Sequence, residues 1–175
     1  NNSMKKIYDE LVQHGENFNL IHFGMLALDS MRLEKNYRSW KSDLTSDYTM
    51  LQSGLEKWIK FDKGNFIGKE ALKNEFDLGT SKKFVTLVVD DPEDNKPFGE
   101  PVYLSPVFAG DDYLGPIVSS GYGHRVKKSI SMAILDDRNL NGLNDQLYID
   151  VLGRKRKAYI VNEALYDPEN LKLRS

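Results

Sequence analysis

The feature that most restricts the fold is a change of hydrophobic period near residue 82. Beyond it the apolar residues come in six short runs, Phe84 to Val89, Val102 to Phe108, Gly115 to Ser119, Ser129 to Leu135, Gln146 to Val151 and Lys157 to Glu163. Asp-Pro, Gly-Asp-Asp, Asn-Gly and Leu-Gly-Arg sequences separate them, each rich in residues that turn the chain. Strands this short at this spacing predict an antiparallel barrel or sandwich. Before residue 82 the period is helical, so the chain reads as α+β: an α-rich segment, 1–80, followed by a β domain, 81–175.

Residues 4–14 place Ile7, Tyr8, Leu11 and Val12 on one helical face, with Gly15 where a left-handed C-cap belongs. From Ile21 to Leu33 the residues Phe23, Leu26, Leu28 and Met31 are apolar on too many sides for a solvent-facing helix. They predict a buried helix ending near Lys35 and Asn36. Residues 37–53 lose periodicity and read as an ordered polar-aromatic loop, a type of segment that often carries function. Gly54 to Phe61 reads as a strand or a helix-to-strand passage, and Phe66 to Leu72 opens an amphipathic helix that runs to about Phe76. Three helices within roughly 75 residues cannot cover one another's apolar surface. They must dock on the β domain or on polypeptide that precedes residue 1.

Composition narrows the ligand. The net charge of -2 and pI near 6.0 give no reason to expect nucleic acid or an acidic membrane face as partner, and a small neutral or anionic ligand fits better. The absence of cysteine excludes disulfides, thiolate metal sites and a cysteine nucleophile. His14, His22 and His124 lack zinc-ligand spacing, and no Gly-x-Gly-x-x-Gly follows a strand, so neither zinc nor flavin can be placed on these residues. Apolar stretches are short and no basic-then-apolar leader opens the chain, so a cytoplasmic location is expected, or an organelle matrix in a eukaryote.

The richest stretch for chemistry runs from Ala27 to Leu44. Arg32 follows Asp29 by three residues and precedes Glu34 by two, the spacing of ion pairs on a helix surface. Arg32, Tyr37, Arg38 and Trp40 also gather where the helix becomes a loop. Flat aromatics beside a guanidinium suit a flat heterocycle with a carboxylate tail. In Ser119 to Arg125, the two glycines around Tyr122 suit a tight strand connection, with His124 as a surface or cap residue. Arg154 to Lys157 reads as a basic, solvated hairpin tip that could attract an anionic tail.

These residues match a family. Phe23 to Leu44 resembles the signature Ala-Leu-Asp-Ser-Leu-Arg-Leu-Glu-Lys-x-Tyr-Arg-x-Trp-x-x-Asp-Leu of the folate-binding aminomethyltransferases. That family includes the glycine-cleavage T-protein and the folate domains of dimethylglycine and sarcosine dehydrogenases. The likeness continues through Leu55 to Lys63, Phe66 to Leu72, Ser119 to Tyr122, Lys128 to Ile130 and Glu163 to Pro168. The resemblance implies a three-domain cloverleaf with folate at its centre. This chain would form the end of the central α/β portion and the carboxyl-terminal β-barrel. It implies one-carbon transfer to tetrahydrofolate, with Tyr37 near the folate and Arg32 and Glu34 either touching it or orienting the helix through salt bridges. Trp40 belongs to the same signature, and Tyr122 or Arg125 would close over the ligand.

Two departures qualify the resemblance. Leu28 stands where T-proteins carry an arginine implied in folate binding, which looks like the dimethylglycine and sarcosine dehydrogenase branch and weakens the case for a lipoyl partner. The family's catalytic aspartate belongs to an amino-terminal half, and Asp29 and Asp43 do not occupy its motif. The resemblance therefore implies folate and an upstream half of the same protein as partners, FAD only through an upstream domain, and little catalysis by this chain alone. Self-association of the isolated chain is expected. The alternatives are a non-catalytic assembly or regulatory module without folate affinity, or a relative that demethylates sulfur or oxygen compounds.

Overall fold

A computed structural model describes residues 2–90, 99–137, 140 and 147–175. Its helices are α1 (Asn2–Gly15), α2 (Met25–Glu34) and α3 (Lys69–Leu78). Its strands are β1 (Lys82–Val89), β2 (Pro106–Ala109), β3 (Asp112–Gly123), β4 (Lys128–Asp136), β5 (Leu147–Val151) and β6 (Arg154–Val161). The expected turns at Asp91-Pro92 and Asn141-Gly142, and Gln146 at the start of the fifth run, lie outside the described residues.

The six strands close into an antiparallel barrel in the order β1-β4-β3-β2-β5-β6, with β6 returning to β1. Strand alternation divides the core in two. Val85, Leu87, Val89, Val107, Ile117, Leu135 and Ile149 fill the barrel. Phe84, Val118, Ile130, Met132 and Ile134 point outward from β1, β3 and β4 into a second cluster, closed by Leu33 of α2 with Tyr48, Val126 and Leu165. β4 is buried on both faces for this reason, and it reads as a nearly continuous apolar run. The β5–β6 connection is two residues long, with Leu152 and Gly153 both at positive φ (52° and 82°), the backbone that suits the right-handed twist of a hairpin.

The barrel is the one predicted, but several local expectations change. Residues 102–105 form no strand, although Leu104 N–H donates to Ile117 O and Ser105 O accepts from Ile117 N–H, and the second strand begins at Pro106. β3 extends on both sides of its predicted span, so Gly121 and Gly123 lie inside a strand and not at a tight connection. Arg154 to Lys157 opens β6 directly after the hairpin turn, with Arg154, Lys155 and Lys157 exposed as expected and Arg156 the exception. Arg156 is buried, donating to Asp90 O at 2.7 and 2.9 Å and to Gly99 O at 3.2 Å.

In the α-rich segment, Gly15 is right-handed and Asn19 supplies the left-handed residue (φ 55°). Glycine is required at 15 for space, because a Cβ there would come within 2.6 Å of Leu20. Gly54 to Phe61 holds a 3₁₀ turn, Glu56–Trp58, and no strand. The largest difference concerns α2, which is not buried. Within it only Leu33 and Glu34 are fully buried and Leu26 is 88% exposed, while Ile21, which precedes the helix, is 80% exposed. An apolar sequence records that a surface needs covering and not which surface covers it. Among the described residues the barrel covers one end of α2 only. No helix among them is long and apolar enough to cross a membrane.

Candidate ligand-binding site

The site is built where α2 ends against the outer face of β3. Two glycines of β3 permit the approach. A Cβ at Gly121 would come within 3.0 Å of Leu33 Cδ1, and one at Gly123 within 2.8 Å of Val126 Cγ2 and 3.0 Å of Glu34 Cγ. Glu34 is buried and accepts the backbone N–H groups of Arg125 (2.7 Å) and Val126 (3.3 Å), so its carboxylate fixes the turn after β3. Ser30 Oγ donates to Tyr122 O at 2.8 Å, a third tie between helix and strand.

After α2 the chain reverses at Asn36, which is left-handed at φ 57°, and Tyr37 N–H donates back to Arg32 O at 2.8 Å. The polar-aromatic loop that follows is anchored through Arg32. Its Nε donates to Asp29 at 2.9 Å, Nη1 to Asp43 at 2.8 Å, and Nη2 to Ser119 Oγ at 3.0 Å. Asp43 is fully buried. It also accepts Ser39 N–H at 2.6 Å and the Ser119 hydroxyl, so its charge is met from three sides. This cluster joins α2, the loop and β3.

Beside it opens a cavity of about 570 Å³, within the size range of small-molecule sites. Met25, Leu26 and Ser30 of α2 form one wall, Ser39 and Ser42 of the loop a second, and Ser119 to Tyr122 of β3 a third. Tyr103 and His124 complete the lining, and the Tyr122 and His124 rings meet edge to face at 5.2 Å. The wall is mixed: hydroxyls, two tyrosines, one imidazole, the Asp29 carboxylate, apolar helix residues and Arg32.

Of the residues singled out from the sequence, Arg32 and Tyr122 line this cavity. Glu34 lies beneath it, engaged with the turn. Tyr37 is 46% exposed and lies outside the lining, its hydroxyl donating to Asn170 Oδ1 at 3.2 Å. Trp40 is 75% exposed on the same loop. Arg125 stacks over the Tyr166 ring at 4.7 Å and also stands outside the lining. Sequence reading missed Asp43 as the anchor and Tyr103 as a wall. Asp43 stands in the signature Asp-Leu pair, so the signal was present, whereas nothing about Tyr103 set it apart. No cluster of His, Asp and Glu among the described residues is arranged to hold a metal ion.

Two family models match the chain: "GCVT N-terminal domain" over residues 1–63 and "Glycine cleavage T-protein C-terminal barrel domain" over residues 82–167. The chain belongs to the glycine-cleavage T-protein family. Its relatives within that family include mitochondrial dimethylglycine dehydrogenase of Homo sapiens, 30% identical over 164 residues that make up 91% of this chain and 18% of the relative. An aminomethyltransferase of Thermoanaerobacter sp. strain X514 is 29% identical over 161 residues, 92% of this chain and 42% of that protein. The mitochondrial pyruvate dehydrogenase phosphatase regulatory subunit of Mus musculus is 28% identical over 127 residues, 72% of this chain and 14% of that protein. The chain thus spans less than half the length of these relatives. The crystal structure of the glycine cleavage system aminomethyltransferase T from Bartonella henselae superposes with a TM-score of 0.68 at 20% identity, over 81% of this chain and 38% of that one. That likeness is one of fold.

Proposed function

We propose that this T-protein-family chain supplies one wall of a tetrahydrofolate site in a one-carbon-transfer protein of the aminomethyltransferase or dimethylglycine dehydrogenase type. The observation that carries the reading is the cavity between α2, the loop and β3, which brings the family signature and the Ser119–Tyr122 block to one place. Its residues suit the group. Tyr122 offers a ring face to a pterin, the serine hydroxyls and Tyr103 offer hydrogen bonds to its edge, and the exposed Met25 and Leu26 give the opposite side an apolar lip. Tyr37 and Trp40 extend the exposed aromatic surface of the loop, and Arg32 and Glu34 act by holding helix, loop and strand in register.

Within this reading the chain binds and orients, and acid–base chemistry comes from elsewhere in the protein. Asp43 is enclosed by Arg32, Ser39 and Ser119, while Asp29, half-exposed in the cavity lining, engages Arg32 through one oxygen. The exposed face of α1 and α2, with Ile7, Leu11, Phe23, Met25 and Leu26, is the surface on which an amino-terminal half of the same protein would seat.

Titration calorimetry with 5-formyltetrahydrofolate, on the chain joined to its amino-terminal half, tests the proposal. Tyr122→Ala and Tyr37→Ala should each weaken binding by about 1–3 kcal/mol, the worth of a stacked or hydrogen-bonded aromatic. An unchanged dissociation constant removes that residue from the site. A second reading, a regulatory or assembly module without folate affinity, draws on the similarity to a protein named as a regulatory subunit. Absence of folate binding by the joined protein favours it.

A further inference from the structure

A second cavity, about 690 Å³, lies between α3, β1 and the end of β6, and its lining shares no residue with the first. Arg38 enters it from the loop, its guanidinium carbon 4.3 Å from the centre of the Phe84 ring. The backbone is shaped around this group: Gly54 is left-handed (φ 64°), and a Cβ there would come within 2.6 Å of Arg38 Nη2. Yet the Nε–H is buried with no hydrogen-bond partner, and no described residue forms an ion pair with the guanidinium. Desolvation lowers the Arg38 pKa from its ordinary value, with Glu56 and Asp43 opposing that effect, so the charge is held at a cost.

Three carboxylates line the same cavity. Glu75 accepts from the Thr49 hydroxyl at 2.9 Å and Asp137 from the Thr80 hydroxyl at 3.5 Å. Among the described residues none of Glu56, Glu75 and Asp137 pairs with a cation. Opposite charges therefore share one cavity without meeting. A simple anion would be opposed by three carboxylates facing Arg38 and Lys83, and a simple cation would leave the Arg38 fork unpartnered. Phe76, Phe84, Leu140 and Ile160 give the cavity an apolar side.

We propose that this cavity binds a small zwitterion with an apolar body, its carboxylate received by the Nη1–Nη2 end of Arg38, since the buried Nε is closed to solvent, and its ammonium by the Glu56, Glu75 and Asp137 side. The guanidinium fork matches a carboxylate in two parallel hydrogen bonds, and the stack on Phe84 holds the fork's plane in place. The proposal is independent of the folate reading, since the two cavities are separate.

The test follows the arginine Nε–H resonances of the isotopically labelled chain by NMR. The probes are L-leucine, 4-methylpentanoate, which lacks the ammonium, and 3-methylbutylamine, which lacks the carboxylate. L-leucine should displace the Arg38 resonance and bind at least about tenfold more tightly than either singly charged probe. Followed by titration calorimetry, Arg38→Lys, which keeps the charge and removes the fork, should abolish L-leucine binding. Glu75→Gln should weaken L-leucine binding more than 4-methylpentanoate binding. Three results would overturn the proposal: no displacement by L-leucine at about 10 mM, equal binding of 4-methylpentanoate, or undiminished L-leucine binding by a folded Arg38→Lys chain.

Discussion

Replacing Asp43 with alanine probes the joint on which the first cavity depends. The carboxylate is fully buried and receives Arg32 Nη1 at 2.8 Å, Ser39 N–H at 2.6 Å and the Ser119 hydroxyl, while the Arg32 side chain is only 16% exposed. Removing one member of a buried pair typically costs about 3–5 kcal/mol, because the other charge is left without compensation. Arg32 retains Asp29, itself half-exposed, so the lower end applies, about 3 kcal/mol. In a chain of this size that lowers Tm by roughly 6–12 °C. Urea denaturation should show the midpoint falling with little change in slope. The double replacement Arg32→Met, Asp43→Leu removes both charges and should recover most of the loss. A single-variant loss below about 1 kcal/mol, or a double variant no better than the single, would refute the claim that this pair anchors the loop.

Other consequences are open to direct measurement. Glu34→Ala should cost about 2 kcal/mol and raise amide exchange at Arg125 and Val126 first, since their N–H groups lose a charged acceptor. Gly123→Val should push α2 off β3, because the first added carbon already meets Val126, Ile130 and Glu34 within 3.0 Å; chemical-shift changes confined to β3 would argue against that contact. Burial alone would raise the Asp167 carboxyl, but hydrogen bonds from the Lys172 N–H and the Lys35 ammonium hold it below its ordinary value. Its contribution is therefore present above the ordinary aspartate range and lost as pH falls through the lowered folded-state value. The segment from Asp167 to Asn170, tied to Lys35 at 2.6–3.1 Å, should loosen in acid while the barrel remains, an order that amide exchange against pH can check. The isolated chain should bind a hydrophobic dye and self-associate through the α1 and α2 face, and a monomer in sedimentation that binds no dye would contradict that.

The sequence exposed the barrel better than the helices, for a physical reason. Each strand carries its own alternation, and closure of six strands covers their apolar faces, so residues such as Leu87 and Ile149 are buried where their pattern requires. α2 was read as buried because its composition demands a cover, but composition does not name the cover, and the barrel takes only Leu33 and Glu34. Glycines misled in one consistent way. Gly15, Gly121 and Gly123 read as turn formers, and each is needed because a neighbouring side chain occupies the place of a Cβ. Arg156 read as solvated because its neighbours are basic, while strand alternation turns it inward onto backbone carbonyls. At the site, the signature located the Arg32 to Asp43 joint, but only the fold brings Tyr103 and Tyr122 to the same cavity as α2.

The placement of folate can be decided by crystallising the chain, joined to its amino-terminal half, with 5-formyltetrahydrofolate. The pterin ring should appear against Tyr122 and the Ser119–Gly121 backbone, within contact of Met25 or Leu26. A pterin bound in the joined protein but remote from β3 and α2 would show that the cavity described here is not the folate wall.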